Sequence, residues 1–306
     1  MRMLFLGFFA SIPFFTFAFT EPDTLSAEDV AAMDAYLAYI DSVSASLNYQ
    51  TGQVDLRSGL ATLTLPEGYT YIDADEAEIV LVDLWGNPPG DPSDRSLGMI
   101  FPPGGTATVD STYAINITFV QEGYIDDSDA KDLDFTALLK DLKESTSAGN
   151  EDRMALGYEP VYVVDWATPP FYDAADKKIH WALKLQFGTE ETQTLNYNIR
   201  VLGRRGYLRL NVIGDMSTLD QVNQDISDIL SSVAFQEGHR YEDFDSKLDD
   251  VAAYGIGGLI AGTVLAKAGF FAKIGILLVK FWKILALAVV GGLAAVRRIF
   301  RKKEEA

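Results

Sequence analysis

Cysteine is absent from all 306 residues, which excludes disulfides, thiolate metal ligands and a cysteine nucleophile. Histidine occurs only at His180 and His239, so a histidine-rich metal centre or a histidine-containing triad has almost no material to work with. Cations are scarce too: 25 Lys plus Arg stand against 44 Asp plus Glu, a formal charge of −19. Nucleic acid is therefore not expected as a partner, because gripping phosphates needs clustered cations. No internal repeat or low-complexity linker interrupts the chain, and no cofactor or metal is expected. What remains is 48% hydrophobic and 23% charged, the composition of a chain with a packed core.

The two ends carry the longest apolar runs. Residues 1–20 read as a secretory signal peptide: Arg2, an apolar stretch from Leu4 to Phe19, then Ala18 and Thr20 as small residues before Glu21-Pro22-Asp23. At the other end, 251–296 form a membrane-anchor region through which lipid is the expected partner, and 297–306 form a basic tail opening with Arg297-Arg298. A basic cluster directly after an apolar run marks the cytoplasmic side, so one crossing is the simplest topology. Ile274 to Val296 would rise about 35 Å as helix, enough for the hydrocarbon layer. Lys280 and Lys283 oppose this, at roughly 2.5–3.5 kcal/mol each near a bilayer centre. Two other topologies stay open: a hairpin of both apolar segments, and a crossing by the first segment followed by an amphipathic helix on the inner surface. The expected address is the inner (plasma) membrane, with the main domain exported to the periplasm and the C-terminus cytoplasmic.

Between the ends, residues 21–250 hold 15 Lys plus Arg against 42 Asp plus Glu, a net −27. So acidic a body is repelled by anionic headgroups and should stand off the membrane. Its patterning predicts helices over Ser26–Leu47, Asp73–Trp85, Asp129–Glu144 and Leu219–Val233. Strands are expected at Gln53–Leu56, Leu60–Leu65, Tyr69–Ile72 and Tyr113–Val120, then at Val161–Trp166, Ile179–Phe187, Thr194–Val201 and Tyr207–Ile213. Pro169-Pro170 reads as a connector. Four late strands with short links imply an antiparallel sheet, so the fold class is α+β: one exported acidic domain with a largely antiparallel sheet flanked by helices, plus a C-terminal transmembrane helical segment.

Two clusters could carry chemistry. Asn196, Asn198, Arg200, Arg204, Arg205 and Arg209 concentrate cations on one hairpin of an acidic domain, and guanidinium forks match a carboxylate or phosphate. The structural alternative is a turn whose arginines pair with neighbouring acids. Asp126, Asp127 and Asp129 form a dense acidic site that could attract a hard cation, although they lack EF-hand spacing. Their structural alternative is that Ser128 or Asp129 caps the following helix. Ser128 and Lys131 have nucleophile–base spacing, but the acids around Lys131 argue against its use as a general base. Trp85, Trp181 and the Trp166–Asp173 segment could line a groove, with Trp181 better placed as core and His180 as a surface or edge residue.

Several islands resemble a known family: Trp85-Gly86-Asn87-Pro88-Pro89, Gly98-Met99-Ile100-Phe101-Pro102, Glu122 to Ala130, and Leu195 to Gly206. With Trp181-Ala182, Tyr241-Glu242-Asp243-Phe244 and Ala252 to Ile256, they are similar to a predicted membrane-anchored bacterial family filed as domain of unknown function 2167. The resemblance runs from about residue 50 to the C-terminus, and it implies an envelope protein with an exported domain and a C-terminal anchor. The long strands and closing helix also resemble Mog1/PsbP-like folds at the level of fold alone. The expected function is an exported ligand-binding, partner-binding or scaffolding domain, with another envelope protein as its expected partner. No catalytic pair stands out. The other classes are an envelope hydrolase using Asp126, Asp127 and Asp173, and an accessory subunit of a membrane complex.

Overall fold

The computed structural model describes residues 27–87, 95–108, 112–155, 157–189 and 192–262. The expected signal peptide and the expected crossing helix at 274–296 lie outside them. Among the described residues no helix is long and apolar enough to cross a membrane.

The chain opens with α1 (Ala27–Ser46), β1 (Gln53–Leu56), β2 (Ala61–Thr64) and β3 (Thr70–Ile72). Helix α2 (Ala74–Glu78) follows and runs on as a π-helical turn through Leu84. Asp73 starts it, accepting from the N–H groups of Asp75 and Glu76, while Glu76 reaches back to the Asp73 N–H. Strands β4 (Ser96–Phe101) and β5 (Ala114–Val120) lead to α3 (Phe135–Ala155). The meander β6 (Val161–Asp173), β7 (Lys178–Phe187), β8 (Thr194–Gly203) and β9 (Gly206–Asp215) comes next. Helix α4 (Leu219–Ser232), β10 (Val233–Phe235) and α5 (Ile256–Ala261) close the described chain.

Seven strands form one sheet in the order β3-β4-β5-β9-β8-β7-β6, and β1-β2-β10 form a second; all of the strand pairs are antiparallel. The α+β class with antiparallel sheets and flanking helices is thus observed. Alternation decides the layers. Leu195, Tyr197, Ile199 and Val201 of β8 and Leu208, Leu210 and Val212 of β9 share one core with Val222 and Ile229 of α4 and with the small sheet. The opposite face is divided. At the β6–β7 end, Ile179, Trp181 and Leu183 pack with Leu138 and Leu142 of α3 and with Ile256, Leu259 and Ile260 of α5. At the β3–β4 end, Ile72, Met99 and Phe101 pack with Ala77, Val80 and Leu84.

Strands β4 and β10 were not expected, α5 lies where the membrane-anchor region was expected to begin, and two expected elements differ in extent. Helix α3 starts at Phe135 because the Asp134 carboxylate accepts from the N–H groups of Thr136 and Ala137, 3.0 Å each; Asp129 is occupied elsewhere. It also continues past Glu144 to Ala155. Strand β6 runs through Pro169-Pro170 rather than stopping there. Proline removes ladder donors, and β6 tolerates two of them because it is the sheet's edge and its pairing with β7 shifts register between Thr168 and Phe171.

Candidate functional site

The middle of the divided face is polar. Register places Arg200 opposite Arg209, Arg209 opposite Thr118 and Thr118 opposite Ser96; a parallel rung joins Asn198, Asn211 and Asn116. Two rungs of polar side chains therefore cross the central strands between the two apolar clusters. Asn116 and Arg209 are partly buried and the rest are buried: Arg200 is 7% exposed, Asn198 4% and Asn211 9%.

Hydrogen bonds tie most of the row together. Ser96 Oγ donates to Asn116 Oδ1 at 2.7 Å, and Arg209 Nε to Thr118 Oγ1 at 2.8 Å. Arg200 donates from Nη1 to the Ile199 carbonyl at 2.9 Å and from Nη2 to Asn198 Oδ1 at 3.0 Å, and Asn198 Nδ2 donates to Asn196 Oδ1 at 2.6 Å. The Arg200 guanidinium lies over the Trp181 ring at 4.9 Å and the Tyr207 ring at 5.8 Å. Among the described residues no carboxylate lies within ion-pairing distance of it. Burial pushes its proton affinity down, to about 9, so it is still a cation at neutral pH. Asn211 Oδ1 is buried without a hydrogen-bond partner.

Of the six residues expected to make one patch, Asn196, Asn198, Arg200 and Arg209 come together here. Arg204 and Arg205 do not, because they lie at the β8–β9 turn and point away from the row's rungs. Their Nε atoms each donate to Asp249 at 2.7 Å, to Oδ2 and Oδ1 respectively, and the Asp249 side chain is 0% exposed. Arg204, the Asp245 N–H and Arg205 together hold the Asp249 carboxyl well below the usual carboxylate range. This is the turn-and-neighbour arrangement that the sequence left as the alternative.

The acidic cluster is likewise structural. Asp126 Oδ1 accepts the Ser128 N–H at 2.8 Å. Asp127 accepts from Lys177 Nζ at 2.7 Å and from the Tyr172 hydroxyl. Asp129 accepts from the N–H groups of Ile256 and Gly257 at 2.8 and 3.0 Å, so it caps α5, 127 positions on, rather than the helix that follows it. Ser128 and Lys131 do not share a helix, since Ser128 precedes the short 3₁₀ turn Ala130–Asp132 that holds Lys131 and α3 starts only at Phe135. Among the described residues no group of three or more His, Asp or Glu is placed to hold a metal ion.

These contacts build a junction. The Tyr124 N–H donates to the Asp250 carbonyl and the Ala252 N–H to the Tyr124 carbonyl, 2.8 Å each, a parallel bridge that seals the approach to α5. Glycine is needed on both sides: a Cβ at Gly123, which has φ +90°, would sit 2.8 Å from the Asp250 carbonyl oxygen, and one at Gly255 would sit 2.5 Å from Asp129 Oδ1. The islands at Glu122–Ala130, Leu195–Gly206, Tyr241–Phe244 and Ala252–Ile256 meet at this end of the sheet.

The aromatic groove does not assemble. Trp85 packs with the β3–β4 cluster and donates to the Ala107 carbonyl, while Trp166 and Trp181 pack with the β6–β7 cluster. His180 is half-buried, its Nδ1 2.8 Å from the Tyr197 hydroxyl, and burial lowers its proton affinity. Sequence reasoning missed Ser96, Asn116, Thr118, Asn211 and Asp249. The signal was there: polar residues at every second position of strands whose other face is wholly apolar. That pattern ordinarily marks a solvated face, and only the tertiary layer buries it.

Comparison with curated proteins finds no match. Among solved structures, the chain is similar to cyanobacterial PsbP from Synechocystis sp. PCC 6803, at 11% identity over 62% of this chain and 93% of that one, with a TM-score of 0.33. It is similar also to the Ran-binding protein Mog1p of Saccharomyces cerevisiae, at 12% identity over 62% and 96%, with a TM-score of 0.32. At these scores neither likeness carries an argument. A family model described as "Protein of unknown function (DUF2167)" matches residues 48–291, spanning the polar row, the junction and α5, and the chain therefore belongs to that family.

Proposed function

We propose that this chain is a cell-envelope protein of the inner membrane whose exported acidic domain binds a ligand through the polar row, with Ile274 to Val296 as its single crossing and the basic tail in the cytoplasm. The observation that carries the binding reading is the row itself. Six polar residues, Ser96, Thr118, Asn196, Asn198, Arg200 and Asn211, are buried where apolar side chains would pack at lower cost, and one of their acceptors lacks a partner. The anchor reading draws support from α5: Ile256, Leu259 and Ile260 are buried in the domain, which leaves the later apolar segment to cross. A junction this tightly bonded would pass a change at the row to the membrane segment, which favours an accessory subunit of a membrane complex as the second reading.

The hydrolase reading has less behind it. Asp126 is held below the ordinary carboxylate range by the Ser128 hydroxyl and N–H; for Asp127, burial works the other way but Lys177 and Tyr172 prevail. A general acid needs the opposite shift. Topology is tested by reporters fused after Lys273 and after Ala306. The first is expected in the periplasm and the second in the cytoplasm; a tail cleaved by protease added outside spheroplasts would refute the single crossing.

A further inference from the structure

We infer that a groove beside the β8–β9 turn binds the phosphate group of a phosphomonoester, at a second site that stands apart from the polar row and does not rest on it. The groove has a volume of about 260 Å³. Arg57 and Ser58 reach it from the β1–β2 turn, Arg205 from the β8–β9 turn, and Gln121 and His239 from the segments after β5 and β10. Beneath them lie Leu60 and Phe119, both buried in the core shared with the small sheet. Thr118, the neighbour of Phe119 along β5, belongs to the polar row, so alternation puts the groove and the row on opposite faces of the sheet.

Among the described residues no carboxylate lines this groove, in a body where acids outnumber bases by 42 to 15. Arg57 lies over the Phe119 ring at 5.3 Å, and among the described residues no carboxylate is within ion-pairing distance of it. The acid of its own turn, Asp55, is engaged: its Oδ1 accepts from the Gly59 N–H at 2.9 Å and from Gln236 Nε2 at 3.1 Å. Arg205 shares the single Asp249 carboxylate with Arg204, and its side chain is 51% exposed. Two guanidiniums on one carboxylate leave a positive charge over. The turn also holds Arg57 and Ser58 at φ +50° and +52°, the left-handed region where side chains are disfavoured. Strain of this kind gathers at ligand clamps.

Shape selects the anion. A planar carboxylate meets one guanidinium fork along one edge, whereas a phosphomonoester offers three terminal oxygens to donors arriving from separate segments. An adjoining groove of about 570 Å³ shares Gln121 and Arg205 but adds Glu122, Asp249 and Asp250, so the field directs an anion into the smaller one.

The test uses the full chain in detergent, titrated by calorimetry with glycerol 3-phosphate, a short-chain phosphatidic acid and acetate. Phosphomonoester binding is expected, with acetate weaker. Binding of glycerol 3-phosphate identifies a soluble ester as the source, and binding of phosphatidic acid alone identifies a lipid headgroup; either supports the site. Arg57→Met keeps an apolar stem over Phe119 and should weaken binding roughly ten- to hundredfold, the range for a lost charge-assisted hydrogen bond. Ser58→Ala should weaken it about two- to tenfold. Failure of both phosphomonoesters to bind the wild type overturns the inference, as does acetate binding as tightly as either. Unchanged affinity in Arg57→Met overturns it too, and should that variant fail to fold, unchanged affinity in Ser58→Ala does so.

Discussion

Two pairs of arginines lie within ten positions of each other, and the fold treats them in opposite ways. Arg204 and Arg205, at the β8–β9 turn, converge on one buried carboxylate, Asp249, and so fasten the segment leading to α5 onto the sheet. Arg200 and Arg209, three register pairs beyond the Gly203–Gly206 pair that closes the turn, face each other across the same two strands, Arg200 beside an amide and aromatic rings and Arg209 beside a hydroxyl. A cation neutralised by a buried acid in good geometry is a structural bolt. A buried cation held among amides and rings, as Arg200 is, is costly to keep. Arginine content alone therefore does not tell the two pairs apart; the neighbours on the next strand or loop do.

The contrast can be broken or sharpened by experiment. The largest effect is expected where the bolted segment enters the core. Ile256→Ala removes a fully buried side chain from α5 and should cost about 2–5 kcal/mol in chemical unfolding. A cost near zero would mean that α5 is not part of the domain. Asp249→Asn should come next, lowering the thermal midpoint and loosening the Tyr124 and Ala252 amides in hydrogen exchange. Its pH dependence has a definite sign. Asp249 has a folded-state proton affinity below its ordinary value of 3.8, so its contribution is complete well above pH 4 and fades as pH falls below it. The gap between wild type and Asp249→Asn should accordingly close in acid; a gap that widened there would refute the bolt.

At the other pair, Arg200→Met without ligand should change stability by no more than about 1 kcal/mol, since relief of a buried charge offsets the acceptor left open on Asn198. A loss as large as that of Ile256→Ala would make Arg200 structural after all. The smallest effect serves as a baseline: Lys140→Ala breaks an exposed pair with Glu144, 3.7 Å apart on α3, and should cost about 0.3–0.5 kcal/mol.

Much of the fold was legible in the chain. Eight expected strands and four expected helices all appear, because alternation and helical spacing report directly which face of each element is apolar. The misses have local causes. Pro169-Pro170 reads as a break unless the strand is known to be an edge. Asp129 reads as a cap for the helix that follows, and nothing nearby in sequence reveals that Asp134 takes that role while Asp129 reaches α5. Of the candidate site, Asn196, Asn198, Arg200 and Arg209 were visible as a cluster of polar residues on one hairpin; Ser96, Asn116 and Thr118 were not, because their strands are joined to it only by the sheet's order, and Asn211, on the same hairpin, reads as part of a solvated face.

The sequence by itself determined the α+β class, the acidity of the body and the segregation of cations at its C-terminal end, since these follow from composition and from periods of two and 3.6 residues. Only the tertiary structure decided that Arg204 and Arg205 share a buried carboxylate while Arg200 lies buried among amides and Arg209 meets the Thr118 hydroxyl. That decision depends on contacts across 45 positions, Arg204 with Asp249, and across 91, Thr118 with Arg209. Burial and charge pairing are properties of neighbours in space, and the chain order of a meandering sheet does not disclose them.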